Sequence, residues 1–486
     1  MLHAMESALR QTPEREVKLK TGHLFRLPHF PGEPLPPRLF TSTYFDTADH
    51  RLAQLGVTLR RRTERYRVLW QLSLPRHAAR LEVKMASGRS TPPAPLEDLL
   101  FALLQREPLT VIAKLRTRRS GIRIQPLDRP IADVVIDRVR ILNGRRVVGH
   151  LNEIEVERRS GKDKELAAIV TALREAGAYE GDGHPQVVQA LNLIVSSPSP
   201  SKSAPLSERF KTILQTQLRH ILLHDPGTRL GKDSEELHQM RVGIRRFRAI
   251  LRTARALLEP EWYASLQEEL RWLGMMLGTV RDQDVLLDRL YTEADVLPPV
   301  ERKIFERLLT TFETHRSQAR MQLLDTLRSD RYLNLLRRLE QATQAPALRE
   351  APESSLIHLA AQEFKQLIKA GKRGNDEPSD QELHQLRIHT KRTRYVAELA
   401  LETMGKPAIR FVRQTKRNQD LLGDHQDAVF TEERLRQLLQ TTRGVKTAFA
   451  IGQIIERLRA RRRRTRAMLP REWAKLKKRG REVFAL

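Results

Sequence analysis

The sequence predicts two domains of different grammar: a β-rich N-terminal half carrying two helices, and an all-helical C-terminal half of two repeated bundles. Three observations predict this. Before residue 195, short period-2 segments separated by Pro and Gly turns dominate. Residues 196–205 read SSPSPSKSAP, a stretch without apolar periodicity that suits a semi-rigid linker. Beyond it, long stretches repeat every 3.6 residues and contain few glycines. The expected division is therefore 1–195, a linker at 196–205, and 206–486.

Composition bounds the chemistry. The 486 residues are 40% hydrophobic, ample for a core in each domain. Absence of cysteine excludes disulfides, thiolate zinc sites and cysteine nucleophiles. The start, MLHAMESALR, lacks a basic region followed by an apolar run, and no stretch approaches the roughly 18–20 apolar residues of a membrane span. A soluble cytoplasmic protein without a membrane span is expected, and nothing signals a particular oligomeric state. Lys and Arg number 87 against 59 Asp and Glu, a net charge of +28 that makes a polyanion the default partner. Base stacking calls for aromatic side chains, which are only 5% of the chain, so no specific nucleic acid is expected.

Five strand segments carry charge on one face: Glu14–Leu19, Val57–Arg62, Arg80–Lys84, Ile131–Asp137 and Asn152–Glu157. Alternation groups Glu14, Glu16 and Lys18; Arg60 and Arg62; Glu82 and Lys84; Asp133 and Asp137; and Glu153, Glu155 and Glu157. A single charged strand face ordinarily looks at solvent. Five together suggest a closed sheet with a polar interior, where carboxylates hold a hard divalent cation and basic residues clamp phosphates. The apolar faces would then point outward, under helices at Leu96–Leu104 and Lys164–Ala176.

These residues resemble the CYTH, or triphosphate tunnel metalloenzyme, superfamily. The likeness rests on E-x-E-x-K at Glu14–Lys18, YFDT at Tyr44–Thr47 followed by Leu52, Gly56 and L-R-x-R at Leu59–Arg62, Lys84 in LEVK, Asp137, and Glu153–Glu157 before Ser160-Gly161. It implies an eight-stranded antiparallel β-barrel, or tunnel, that binds triphosphate with Mg²⁺ or Mn²⁺. By that resemblance Glu14, Glu16, Glu153 and Glu155 hold metal. Lys18, Arg60, Arg62, Lys84 and Arg119 bind phosphate, and Glu14, Glu16 and Lys18 form the catalytic set. The sequence departs from the family pattern at Asp133, where Glu is usual, at Arg158, and at His184-Pro185, where a Ser-Lys pair is expected. Arg116 and Arg118 compete with Arg119 for the tunnel arginine.

The helical half repeats itself. ELHQMRVGIRRFR at Glu236–Arg248 matches ELHQLRIHTKRTR at Glu382–Arg394, and LGTVRD at Leu277–Asp282 matches LGDHQD at Leu422–Asp427. On a helix His238, Arg241, Arg245, Arg248 and Arg252 share one face, beside an apolar stripe of Met240, Ile244, Phe247 and Leu251. The second copy gives His384, Arg387, Lys391 and Arg394, and each copy has a basic residue seven before its glycine, Arg271 and Lys416. Such stripes are ordinarily solvated, but these lack interspersed acids and gain from a bound anion. Asp282, Asp284 and Asp427 are expected to cap helices or to pair with stripe arginines.

This half resembles the CHAD domain, an all-helical pseudo-repeat that binds inorganic polyphosphate. The resemblance places that function on His238, Arg241, Arg245, Arg248, His384, Arg387, Lys391 and Arg394. The basic run Arg457–Arg481 reads as a solvated helix end or tail. The expectation is a metal-dependent inorganic triphosphatase with a polyphosphate-binding module, associated with polyphosphate granules; the alternative is a non-catalytic polyphosphate-binding protein.

Overall fold

The computed structural model describes residues 16–22, 24–76, 80–181, 185–193, 205–349, 356–372, 378–399, 401–441 and 444–484. Glu14, the side chain of Glu16, His184 and residues 196–204 of the Ser/Pro stretch lie outside the described residues. The chain divides into two compact units, Met1–Ser197 and Pro198–Leu486.

The first unit is a sheet of nine strands: β1 (Glu16–Lys20), β2 (Gly32–Asp46), β3 (Thr58–Glu64), β4 (Arg67–Pro75), β5 (Arg80–Ala86), β6 (Thr110–Ile124), β7 (Ala132–Asn143), β8 (Arg146–Arg158) and β9 (Tyr179–Glu180). Their order is β5-β4-β3-β2-β6-β7-β8-β1-β9, with every neighbouring pair antiparallel. Side chains from β1 to β8 all line one chamber, so the sheet is rolled. It is not the closed eight-stranded barrel that the sequence led us to expect. Among the described residues β9 takes part of the free β1 edge, and β5 and β9 do not pair with each other.

Alternation sets the inside and outside. On β7 and β8, Val134, Ile136, Ile154 and Val156 point outward, under α4 (Asp163–Glu175), whose Leu166, Ile169, Val170 and Leu173 complete a core cluster. Outward residues of β3–β5, including Leu59, Leu72, Leu74, Leu81 and Val83, are buried, as are Leu96, Leu99 and Leu103 of α2 (Ala94–Leu99) and α3 (Phe101–Leu104). The expected helix at Leu96–Leu104 is thus two short helices broken at Leu100. The Asp46 carboxylate accepts bonds from the amides of Thr47, Leu52 and Ala53 at 2.8, 2.9 and 2.9 Å, which fixes the turn into α1 (Arg51–Gln54). One end of the roll is filled by α5 (Gln186–Ala190), whose Val187 and Val188 pack with Tyr44, Ala113, Leu115 and Val139.

The second unit is helical: α6 (Leu206–Leu230), α7 (Ser234–Thr253), α8 (Pro260–Ala294), α9 (Pro299–Arg328), α10 (Asp330–Gln344), α11 (Leu356–Lys372), α12 (Asp380–Leu399), α13 (Leu401–Thr441, kinked at Gly405) and α14 (Val445–Phe484). Asp233 caps α7 through the Glu235 amide, and Ser379 with Glu382 forms a capping box on α12. The two histidine-bearing helices, α7 and α12, pack against each other. Met240, Ile244, Phe247 and Leu251 are fully buried. At about 1.5–3 kcal/mol each they offset the crowding of like charges on the neighbouring half-buried face.

The basic C-terminal run is not a tail. It belongs to α14, whose Ile451, Ile454, Ile455 and Leu458 join a core cluster with α8, α9 and α13. Its arginines neutralise distant carboxylates. Arg459 and Arg462 bind Glu432, Arg462 and Arg466 bind Asp380, and Arg461 binds Asp424, which Arg289 also holds. No helix among the described residues is long and apolar enough to cross a membrane.

Candidate functional site

The chamber inside the rolled sheet has a volume of about 230 Å³. It collects Lys18 from β1, Arg60 and Arg62 from β3, Lys84 from β5 and Arg119 from β6, five cations that the sequence singled out. Nearly every one is paired. Lys18 Nζ lies 3.0 Å from Glu155 Oε1. Arg119 donates two 2.7 Å bonds to Asp137 and a third to Glu155. Lys84 Nζ is 2.7 Å from Glu82, whose other partner is Gln71 Nε2 at 2.9 Å. Gln71 in turn accepts from Arg60 Nε at 2.9 Å, and Arg60 Nη1 reaches the Tyr44 hydroxyl at 3.3 Å.

Two groups register strain in this charge arrangement. Arg62, packed 3.5 Å over the Phe40 ring, has its pKa lowered to about 10 by burial and by Arg60, Arg38 and Arg119. Glu153, with Gln186 Nε2 at 2.7 Å, is pushed up to about 7, chiefly by burial. Glu155 goes the other way despite burial, held well below the carboxylate range by Lys18 and Arg119. A buried carboxyl pushed up to about 7 with Glu155 beside it is oxygen-donor chemistry that fits a hard divalent ion. Among the described residues no three His, Asp or Glu converge as a metal cage. The carboxylates lining the chamber are Glu82, Asp137, Glu155 and Glu157, with Glu153 two residues before Glu155 on β8, and the β1 backbone at Glu16 pairs with Glu157.

In the helical unit a groove of about 380 Å³ lies where α7 and α12 meet α8 and α13. Its walls carry His238, Arg241, Arg245, Arg281, Arg387 and Lys391. Arg241 Nη1 is 2.9 Å from Asp282, the one stripe pairing that the sequence anticipated correctly; Asp284 instead binds Arg316 at 2.5 Å. Burial, with Arg281, Arg245 and Arg241 nearby, drives His238 down to about 4. Lys391 falls to about 6 through burial and the charges of Arg387, Arg245 and Arg241. Buried Arg245 Nε, Arg387 Nε and His384 Nδ1 have no hydrogen-bond partner among the described residues. Gly278 and Gly423 lie under the stripe: a Cβ there would sit 3.3 Å from Arg241 and 3.6 Å from Arg387. The first would press on the Arg241 guanidinium, whereas the second would make ordinary contact with Arg387.

A CYTH-domain family model matches residues 12–186 and a CHAD-domain model matches residues 212–436. The chain carries a CYTH domain followed by a CHAD domain. Uncharacterized proteins of two Mycobacterium tuberculosis strains, H37Rv and CDC 1551, are each 28% identical over 433 residues, 83% of this chain and 83% of theirs. Among solved structures, PptA from Streptomyces chartreusis (20% identity, TM-score 0.47) covers 56% of this chain and 100% of its own. The CHAD domain from the plant Ricinus communis (28% identity, TM-score 0.45) covers 59% and 94%. CYTH domains are metal-dependent enzymes of triphosphate substrates, and the chamber lies within the CYTH unit.

Several predicted residues lie elsewhere. At 1.5 Å per residue the stripe from His238 to Arg252 runs about 21 Å, and of it only His238, Arg241 and Arg245 line the CHAD groove. Arg248 therefore sits with Arg252 and Arg271, and its Nε faces Gln267 at 3.4 Å. Arg394 is drawn to Glu398 at 3.5 Å and lies over Tyr395, and Lys416 is exposed on α13 outside the groove. Asp133 is locked by Arg123 and Arg159 rather than lining the chamber, and Arg158 pairs outward with Asp163. Tyr44, Gln71, Arg80, Gln186 and Arg281 were missed as site residues. Arg281 could have been found, because it and Gln426 hold equivalent places in the two repeated LG blocks and both line the groove.

Proposed function

We propose that the CYTH unit hydrolyses inorganic triphosphate or a short linear polyphosphate with Mg²⁺ or Mn²⁺, and that the CHAD unit binds inorganic polyphosphate. The observation that supports the first half is the chamber, where Lys18, Arg60, Arg62, Lys84 and Arg119 meet the buried Glu155 carboxylate, with Glu153 two residues before it on β8 and shifted the opposite way. Glu153 and Glu155, with Glu14 and Glu16, would hold the ion, which neutralises phosphate charge and activates water. Lys18, Arg60, Arg62, Lys84 and Arg119 exchange their carboxylate partners for phosphate oxygens and hold the chain in line. The α5 plug closes one end, so the chain enters by the other. The buried Arg245 Nε, Arg387 Nε and His384 Nδ1, without a hydrogen-bond partner among the described residues, support the CHAD half of the reading. We read α6–α9 and α11–α14 as an internal duplication, 196–205 as the linker, and the protein as cytoplasmic and granule-associated.

Orthophosphate release from tripolyphosphate, measured with Mg²⁺, Mn²⁺ or chelator, tests the reading. Metal-dependent release that vanishes in Glu14→Ala/Glu16→Ala is expected. No release from a folded protein that still retains polyphosphate would leave a binding protein without turnover.

A further inference from the structure

The outer wall of the CYTH sheet carries a feature that the chamber does not use. Arg116 and Arg118 on β6 lie directly opposite Arg140 and Arg138 on β7. All four are exposed, on the face opposite Arg119 and Asp137. Cross-strand partners stand about 4.5–5.5 Å apart at Cβ, where like charges destabilise a sheet. Among the described residues none of the four has a carboxylate partner. The outward face of β7 changes character abruptly: Val134 and Ile136 are buried under α4, while Arg138 and Arg140 are left bare. The four arginines line a depression of about 560 Å³ that also contains Leu39, 61% exposed.

The depression is continuous with the chamber mouth. A cavity of about 820 Å³ shares Arg62, Gln71 and Lys84 with the chamber and is lined further out by Arg38 and Glu64. Arg38 lines the outer depression as well. Pairing between β2 and β3 ends at Thr41–Thr63, and β2 is irregular between Leu35 and Arg38, so the wall is notched at Arg38. Arg38 is held there by Glu64 through two 2.6 Å bonds. A line of guanidiniums thus runs from Arg62 inside, past Arg38 at the rim, to Arg118 and Arg138 outside.

We infer that this outer quartet is an exosite for the distal part of a linear phosphate chain whose leading end occupies the chamber. The inference rests on reading the chamber as a triphosphate site. A chain too long for about 230 Å³ is stopped by α5 and leaves through the mouth, where guanidiniums bind successive phosphates in bidentate fashion. The depression lacks the Phe, Tyr and Trp platforms that single-stranded nucleic acid uses, and a concave site whose apolar residues are Pro37, Leu39 and Val139 does not suit a bilayer. The exosite makes the enzyme favour long chains without touching the bond that breaks.

The test is Arg116→Gln/Arg118→Gln/Arg138→Gln/Arg140→Gln in the full chain. Both it and its control carry Arg245→Gln/Arg387→Gln, so that the CHAD groove contributes equally little. The quartet variant is expected to raise KM for long-chain polyphosphate about tenfold or more while leaving kcat and KM for tripolyphosphate unchanged. It should also lower the slope of log binding constant against log salt for the long chain, by about one for each phosphate that is no longer held. Arg118→Gln/Arg138→Gln alone, should the larger variant melt early, should show half the change. Equal KM changes for both substrates, or an unaltered salt slope, would overturn the exosite. So would loss of binding to single-stranded RNA or phosphatidylserine vesicles with polyphosphate binding intact. Absence of tripolyphosphate turnover in the unaltered protein defeats the proposed function instead, and the salt slope still decides the exosite.

Discussion

The CYTH chamber and the CHAD groove both gather cations, for the phosphate ligands we propose, by opposite means. In the chamber Lys18, Lys84 and Arg119 each rest on a carboxylate, and Arg119 alone holds Asp137 and Glu155. In the groove Arg241, Arg245, Arg387 and Lys391 crowd together, and among the described residues only Arg241 of the four has a carboxylate at hydrogen-bond distance. The chamber is ordered before its ligand arrives, and its cations must change partners to bind. The groove holds its charges against one another and relaxes when an anion enters. Positioning matters for a bond to be broken, whereas a binding site profits from stored repulsion.

That contrast breaks most visibly in stability. Arg119→Met leaves the buried Asp137 carboxylate unpaired and Glu155 on Lys18 alone, and should lower unfolding free energy by about 3–5 kcal/mol in denaturant titrations. Arg245→Met removes a repelled charge, so the free protein should be neutral or gain up to about 1 kcal/mol. Equal losses in the two variants would contradict the comparison.

The groove should also respond to pH. Lys391, facing Arg387 on its own helix, Arg241 and Arg245 on α7 and Asp427 on α13, loses its proton at about 6 when free. Bound phosphate raises that pKa, so binding takes up a proton above pH 6. Polyphosphate affinity should rise as pH falls from 8 to 6, by at most about tenfold per unit, and level off below 6. His238, at about 4, stays silent over this range. A flat profile, or one that survives Lys391→Met, would remove Lys391 from the site.

The smallest effect separates stability from binding. Gly278→Ala should stabilise α8 by about 0.5–1 kcal/mol, as alanine does in helices. It should also weaken polyphosphate binding a few-fold by crowding Arg241, and more than Gly423→Ala does at Arg387, because its Cβ would come closer to the guanidinium.

Legibility in the sequence followed charge. Strands β1, β3, β5, β7 and β8 announce themselves because their inner faces carry Lys18, Arg60, Lys84, Asp137 and Glu155. Strands β2, β4 and β6 escape notice because their inner faces read Phe40-Ser42-Tyr44, Gln71-Ser73 and Ala113-Leu115-Thr117, and β2 carries three prolines. The ninth strand is two residues long, too short for any periodicity to mark. The arginines of α14 look like a solvated run because their partners, Asp380, Asp424 and Glu432, lie far away in sequence. The repeated histidine block was legible, but the length of its functional part was not. Only the crossing of α7 and α12 shows that Arg245 faces the groove and Arg248 does not.

The central claim is that two sites divide two tasks, and one paired assay tests it. Orthophosphate release from tripolyphosphate and retention of long-chain polyphosphate are measured on Glu14→Ala/Glu16→Ala and on Arg241→Ala/Arg387→Ala. The account predicts that the first variant loses metal-dependent release and keeps retention, while the second keeps release and loses retention along with part of its salt dependence. Two folded variants that lose both activities to the same degree would contradict it.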